Sequence, residues 1–251
     1  MWPWPDDRLT FIYLASLAAA IAAPFLWVAW SGELAMLASV APNSLVVSSG
    51  LAIYLSLRAA DRGDGSSLIA VAGLVVFALL SAQLFRWARS IPSRDERATP
   101  RWVRVVMAVL TLFVVTVRSG LLARAAEVYP WDLRPETSTM FGIIYLGVVV
   151  YFAYAVVQPS WSKAAGQLLG FLAYTLVLAK PYLDMLREQL ADSPSGQQVY
   201  SSYGGSAGET APNMLSLAVF LSVIAFGTAL TVWTLLVCRE TRLAGSSGWA
   251  N

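Results

Sequence analysis

One apolar stretch of this chain, Leu168–Leu186, reads LLGFLAYTLVLAKPYLDML and is long enough to cross a bilayer as an α-helix. It also contains groups that are unusual in hydrocarbon, because Lys180 is followed at once by Pro181 and four residues later by Asp184. Ionisable side chains are costly inside a membrane and commonly serve a function there. The stretch therefore predicts a membrane protein and marks a first candidate site.

Six further apolar stretches accompany this one along the chain. The seven predicted spans are Leu9–Trp30, Ser44–Leu57, Ser67–Phe85, Val103–Leu122, Met140–Val157, Leu168–Leu186 and Met214–Cys238. The second span is short, so we extend it from Asn43, an N-cap after Pro42, to Ala60. Most spans then approach the ~20 residues that cross a ~30 Å hydrocarbon core. The predicted fold class is all-α, a polytopic membrane protein with seven transmembrane helices forming a single domain over residues 1–243, with a disordered tail over residues 244–251.

The composition agrees with this fold and argues against several classes of function. Hydrophobic residues make up 57% of the chain and charged residues 13%, against about 45–50% and 25% in soluble domains. A net charge of +2 gives no support for nucleic acid as a partner. The chain has no histidine, which removes the usual axial ligand of haem and the commonest metal ligand and general base. We therefore predict no catalytic residues, no metal site and no cofactor, since haem would lack its usual ligand.

Positive charges predict how the helices are oriented. Nine Lys and Arg residues fall on one side of the predicted membrane and eight on the other, where Arg118 and Lys180 lie within spans. The nine are Arg86, Arg89, Arg94, Arg97, Arg101, Arg104, Lys163, Arg239 and Arg242. Cytoplasmic flanks carry an excess of such residues. We expect the N-terminus outside and the C-terminus in the cytoplasm of a bacterial inner membrane, with the lipid bilayer and other membrane protein subunits as partners.

Lys180 and Asp184 are open to two interpretations. In the first, Pro181 interrupts the helix, and both charged residues, with Arg118 on the fourth span, line a path for an ion or small solute, as in a transporter. In the second, the long lysine stem carries its ammonium towards the interface near Arg187, seven residues or ~10 Å of helix rise away. We favour the second interpretation. Nearby, Gly166 and Gly170 have the Gly-x-x-x-Gly spacing of closely packed helices.

Seven spans with a lysine also resemble the microbial rhodopsins, in which a lysine binds retinal. That lysine lies in the last helix of the family, whereas Met214–Cys238 contains none. No carboxylate lies deep in the third span to act as a counter-ion. A retinal-binding protein therefore ranks behind the transporter as an alternative.

The loop after the fourth span carries a different resemblance. Pro130 and Trp131 follow an arginine-containing helix end, and Glu136 and Thr137 come shortly after them. This arrangement resembles the CcsA/ResC family of cytochrome c assembly proteins, in which an outward loop carries a proline, often Pro-Trp, before a Tyr-Glu-Ser or Tyr-Glu-Phe motif. The resemblance extends over Val105–Leu236. It implies that the loop lies partly buried against the outer mouth of the bundle, with Trp131 at the membrane interface.

The chain departs from that family where haem is bound. Pro212-Asn213-Met214-Leu215-Ser216 is similar to the segment before a haem-liganding histidine, but Ser222 stands in the place of that histidine. The family's tryptophan-rich haem loop has no counterpart. The resemblance implies a non-catalytic membrane protein, a scaffold or assembly subunit of a membrane complex that keeps the helices and lacks the haem ligands. The alternatives are the transporter and, behind it, the retinal-binding protein.

Overall fold

The computed structural model describes residues 8–62, 67–123, 128–131, 133–190, 214–238 and 241. Within these residues the chain forms seven long α-helices: α1 (Arg8–Ser31), α2 (Leu37–Arg62), α3 (Ser67–Ala88), α4 (Arg101–Leu122), α5 (Pro135–Val157), α6 (Trp161–Leu190) and α7 (Met214–Val232). Seven helical segments are long and apolar enough to cross a membrane. The predicted all-α, seven-span fold is therefore confirmed. The predicted tail, residues 244–251, lies outside the described residues.

The start of α2 differs from the sequence prediction. A short 3₁₀ turn, Leu34–Met36, leads directly into α2 at Leu37, so Pro42 lies inside the helix and Asn43 is not its N-cap. Pro42 has no N–H to donate to the carbonyl of Ala38, which costs the helix one hydrogen bond. The first turns of α2 are buried in the bundle, and this packing offsets the missing bond.

Six of the helices form a ring. Close packing joins α2 to α5, α5 to α4, α7 to α6 and α6 to α1, while α1 and α2 are joined near the turn between them. The ring closes between α4 and α7 through aromatic side chains, with ring centroids 6.3 Å apart for Phe113 and Phe220. A second pair, Trp102 and Trp233, has centroids 5.3 Å apart. Helix α3 lies outside the ring and packs mainly on α2.

The connections α1–α2, α3–α4 and α5–α6 meet at one end of the bundle, which we call the arginine end. Glu33, only 2% exposed, accepts hydrogen bonds there from the Ser93 hydroxyl at 3.2 Å and from the backbone N–H groups of Arg94 and Asp95 at 3.1 Å. The Arg97 guanidinium pairs with Asp95 at 2.6 Å. A buried carboxylate held by several donors is well satisfied. The arginine-rich connection is thus folded back onto the end of α1.

Candidate functional site

The predicted pair of Lys180 and Asp184 lies on the outside of the bundle. The lysine Nζ is 2.5 Å from the aspartate Oδ2, and the two side chains are 79% and 21% exposed. Helix α6 continues through Pro181, which is itself buried. Arg118 is half-buried near the end of α4 and, within the described part of the chain, forms no ion pair with either residue. The structure therefore does not bring the three predicted path residues together in the interior.

The loop that carries the family resemblance is buried more deeply than expected. Pro130 is buried and Trp131 is only 4% exposed. The Trp131 ring lies 4.9 Å from that of Tyr129 and 6.1 Å from that of Tyr182 on α6, measured between centroids. It also meets Tyr13 of α1 at 6.5 Å. The loop thus enters the bundle and forms an aromatic layer between α1 and α6.

Polar contacts hold this loop at both edges. Arg58 near the end of α2 pairs with Glu136 in the first turn of α5 at 3.1 Å. The Tyr129 hydroxyl donates a hydrogen bond to the Tyr145 hydroxyl at 2.9 Å. The Tyr145 hydroxyl in turn lies 3.4 Å from the Tyr174 hydroxyl. Burial raises the pKa of Tyr129 well above its usual value, so this hydroxyl remains protonated and able to donate. Residues 128–131 are therefore packed into the end of the bundle opposite the arginines.

A cavity of about 390 Å³ lies between the helices. All seven helices contribute to its wall, which consists mainly of Leu, Ile, Val, Phe and Ala side chains. The tyrosines Tyr13, Tyr145 and Tyr174 also line it, and none of its described lining residues is charged. Sites for small ligands commonly have volumes of about 300–1,000 Å³ and mostly apolar walls with a few polar groups. The cavity has the size and lining of such a site.

The cavity reaches the lipid-facing surface of the bundle. Ile21 and Phe25 of α1 line it and are also 44% and 41% exposed. Phe77 of α3, another lining residue, is 54% exposed. The cavity is only partly enclosed, and side chains that border it and are also exposed lie at its opening. These residues place a lateral window between α1 and α3, at a level where the surrounding medium is hydrocarbon.

The wall also carries three polar atoms that we call the polar patch, in addition to the side chains of Tyr13, Tyr145, Tyr174, Ser44 and Ser48. The Tyr151 hydroxyl and the Asn43 Oδ1 are buried and have no hydrogen-bond partner among the described residues. The third is the carbonyl oxygen of Ala20, which lacks its usual helical donor because Pro24 has no N–H. A Cβ added to Gly170 would lie 2.7 Å from this carbonyl oxygen and 3.5 Å from the Tyr151 hydroxyl. Two atoms of the patch therefore border the same point.

Close helix packing fixes the position of the patch. The Asn43 side chain lies directly against Gly147, where a Cβ would collide with it. Gly147 is one helical turn before Tyr151, so the two residues share a face of α5. The side-chain amide of Gln167 donates to the backbone carbonyl of Tyr151 and ties α5 to α6 at this level. All three polar atoms are thus held by backbone contacts between helices.

The predicted Gly-x-x-x-Gly contact is confirmed. Gly166 packs against the Met36 side chain, and Gly170 packs against the backbone of α1 at Ala20. Small residues let two helices approach in this way. Because the approach at Gly170 occurs where Pro24 has released a carbonyl, the packing motif and the polar patch occupy the same place.

Sequence reasoning missed the polar patch. It assigned Asn43 to a helix cap and did not single out Tyr151 or Pro24. The available signal was a proline in the middle of the first span together with an asparagine in the second. Neither residue indicates which partners face it, because that depends on how the helices are arranged around the ring.

Comparisons with family models, curated protein sequences and solved structures give no match to this chain. Among the described residues, no group of three or more His, Cys, Asp or Glu side chains could hold a metal ion. The cavity with its window and polar patch is therefore the feature from which a function can be argued.

Proposed function

We propose that this multi-pass membrane protein binds an apolar molecule dissolved in the bilayer and holds it in the cavity between its helices. The observation that carries the proposal is the cavity of about 390 Å³ with a window at the lipid-facing surface. An apolar cavity gains little by filling with water, because water needs polar partners there. Hydrocarbon from the membrane can fill it without losing such partners.

Binding of this kind needs no reaction. The lining offers no charged group and no activated nucleophile among its described residues, and the whole chain lacks histidine. The fold supports binding, storage or presentation of a lipid-soluble molecule. We place the protein in a bacterial inner membrane with its arginine end in the cytoplasm, on the basis of the charge asymmetry.

The proposal is tested by photolabelling in vesicles with dodecane that carries a mid-chain diazirine. We expect saturable labelling of Ile144, which lines the cavity, and labelling of Leu112, 68% exposed on α4, that rises in proportion to the probe. Unlabelled dodecane should suppress the labelling of Ile144 and should not suppress the labelling of Leu112. Labelling of Ile144 that neither saturates nor responds to this competitor would contradict the proposal.

A matched pair of variants gives an independent test. Val148→Phe fills part of the cavity wall, whereas Val109→Phe adds the same ring at a position that is 61% exposed on α4. We expect only the first to reduce labelling of Ile144. If Val148→Phe folds poorly, competition between unlabelled dodecane and the probe in the unmodified protein still decides the question.

Orientation is tested with cysteine substitutions in a Cys238→Ser background. Ser90 at the arginine end and Ala60 near the end of α2 are both exposed. In intact cells, a membrane-impermeant thiol reagent should label Ala60→Cys and not Ser90→Cys. The reverse pattern would place the arginine end outside.

A second candidate function is assembly of a larger membrane complex, as the CcsA/ResC resemblance implies. It is supported by the burial of Pro130 and Trp131 and by the pairing of Glu136 with Arg58, since the resemblance implies a loop that packs against the outer mouth of the bundle. Without histidine, we expect no low-spin haem spectrum from the purified protein after incubation with haem. A stoichiometric low-spin spectrum would overturn this expectation and move haem handling ahead of apolar-ligand binding.

A further inference from the structure

We propose that the polar patch selects a ligand with a hydroxyl group, so that the cavity takes a neutral long-chain alcohol from the bilayer. This inference rests on the proposed function, because it names the class of molecule that occupies the same cavity. It comes from the chemistry of Tyr151, Asn43 and the Ala20 carbonyl, which the apolar wall alone does not explain.

The donor of the patch is the Tyr151 hydroxyl. The side chain is buried, lines the cavity, and has no hydrogen-bond partner among the described residues. A buried hydroxyl without a partner is destabilising, and nearly all such groups in native proteins are paired. A ligand oxygen that reaches this hydroxyl from the part of the cavity lined by Tyr151 would accept the hydrogen bond.

The acceptors of the patch are the Asn43 Oδ1 and the Ala20 carbonyl. The amide oxygen is buried without a partner, and the carbonyl has lost its helical donor to Pro24. Both Asn43 and Ala20 line the cavity. An acceptor beside a donor is complemented by a group that both donates and accepts.

A hydroxyl is the smallest ligand group that meets both requirements. A ketone or an ether would accept from Tyr151 and leave the acceptors of the patch unpaired. A carboxylate or an ammonium would carry a charge into a lining with no described charged residue, where an unpaired ion is strongly disfavoured. The rest of the molecule must be largely apolar, because most of the remaining wall and the lateral window are apolar.

The experiment compares three competitors against the diazirine-bearing dodecane probe in vesicles that contain the full chain. Dodecane, dodecyl methyl ether and dodecanol have similar chains, and their concentrations are expressed as mole fractions of the bilayer. We expect dodecanol to displace the probe from Ile144 at about one fifth of the ether concentration, the effect of one additional hydrogen bond. Equal potency of all three would overturn the hydroxyl preference, and it would indicate that water or neighbouring groups satisfy the patch.

Two variants separate the donor from the acceptors. Tyr151→Phe should weaken both dodecanol and the ether about fivefold while leaving dodecane unchanged. Asn43→Ala should reduce the difference in potency between dodecanol and the ether, because the substitution removes an acceptor for the hydroxyl proton of the alcohol. The control is Tyr182→Phe, which removes another buried hydroxyl that has no partner among the described residues, at a position that does not line the cavity. It should leave all three potencies unchanged.

The outcomes distinguish the two proposals. If no competitor, dodecane included, displaces the probe from Ile144, binding of apolar molecules in the cavity is refuted. If dodecane displaces the probe and the alcohol has no advantage, apolar binding stands and the hydroxyl selection fails. If Tyr182→Phe changes the potencies as much as Tyr151→Phe does, the effect is not local to the patch and the selection also fails.

Discussion

Two polar sites within the seven-helix bundle differ in the direction that they face. Lys180 points away from the helix ring, where its side chain is 79% exposed, and pairs with Asp184, which is 21% exposed. Tyr151 and Asn43 are neutral and line the cavity. The charged pair is satisfied by its own contact at 2.5 Å, whereas the patch has atoms without partners in the described structure. A site inside a membrane bundle is therefore indicated better by unsatisfied interior groups than by charge.

Helix α6 shows why the lysine does not face the cavity. Tyr174 of α6 lines the cavity, and Lys180 lies six residues further on, about 240° around the helix axis. That rotation leaves the lysine about 120° from the direction of Tyr174, which turns it away from the cavity. A charge in a span points to a functional site only when its helix turns it inward.

The largest expected effect concerns the packing beside the patch. Gly170→Ala would place a Cβ 2.7 Å from the Ala20 carbonyl oxygen, which forces α1 and α6 apart. We expect a loss of about 2 kcal/mol in unfolding free energy, within the usual range for overpacking. The control Gly73→Ala, with nothing within 4 Å, should be neutral or gain up to about 1 kcal/mol from helix propensity. Reversible unfolding in mixed micelles measures both, and equal effects would show that the close approach is not maintained.

A smaller effect separates satisfied from unsatisfied tyrosines. Tyr145→Phe removes the acceptor of the Tyr129 hydroxyl at 2.9 Å and should cost about 1 kcal/mol in unfolding free energy. Tyr151→Phe removes a buried hydroxyl without a described partner. In delipidated protein it should be neutral or stabilising, since no hydrogen bond is lost. A loss from Tyr151→Phe as large as that from Tyr145→Phe would mean that the patch is already satisfied.

The smallest effect is expected at the charged pair. Lys180→Met and Asp184→Asn, alone and combined, should give a coupling free energy below about 1 kcal/mol, as measured for exposed ion pairs. The lysine is 79% exposed, so water screens its ammonium group and weakens its attraction to the Asp184 carboxylate. Thermal unfolding of the four proteins provides the measurement. Losses above about 2 kcal/mol for each single variant, with recovery in the double variant, would restore the pair as an interior site.

The helices themselves were predictable from the sequence, because the length and apolarity of each stretch are local properties. The start of α2 was not, since burial of its first turns compensates for Pro42 inside the helix. Deep burial of Trp131 was likewise hidden, because it depends on Tyr13 and Tyr182 of distant helices. Local patterns determine which segments span the membrane, and helix packing determines what those segments enclose.

The candidate site depended on such packing almost entirely. Pro24, Asn43 and Tyr151 belong to three different helices, and only their arrangement around the cavity makes them one patch. Lys180 and Asp184 were conspicuous because charges are rare in spans. The outward direction of Lys180 follows from its position about 120° from the side of α6 on which Tyr174 lines the cavity, which a single sequence does not reveal.

The most direct test of the central claim locates a ligand in the cavity. Crystals grown from a lipid mesophase with a long-chain alcohol brominated near its hydroxyl would reveal the halogen by anomalous scattering. We predict a bromine peak inside the helix ring, beside Tyr151, that weakens in Tyr151→Phe and persists in Tyr182→Phe. Bromine found only on the outer surface of the bundle, with the cavity closed or filled by water, would contradict it.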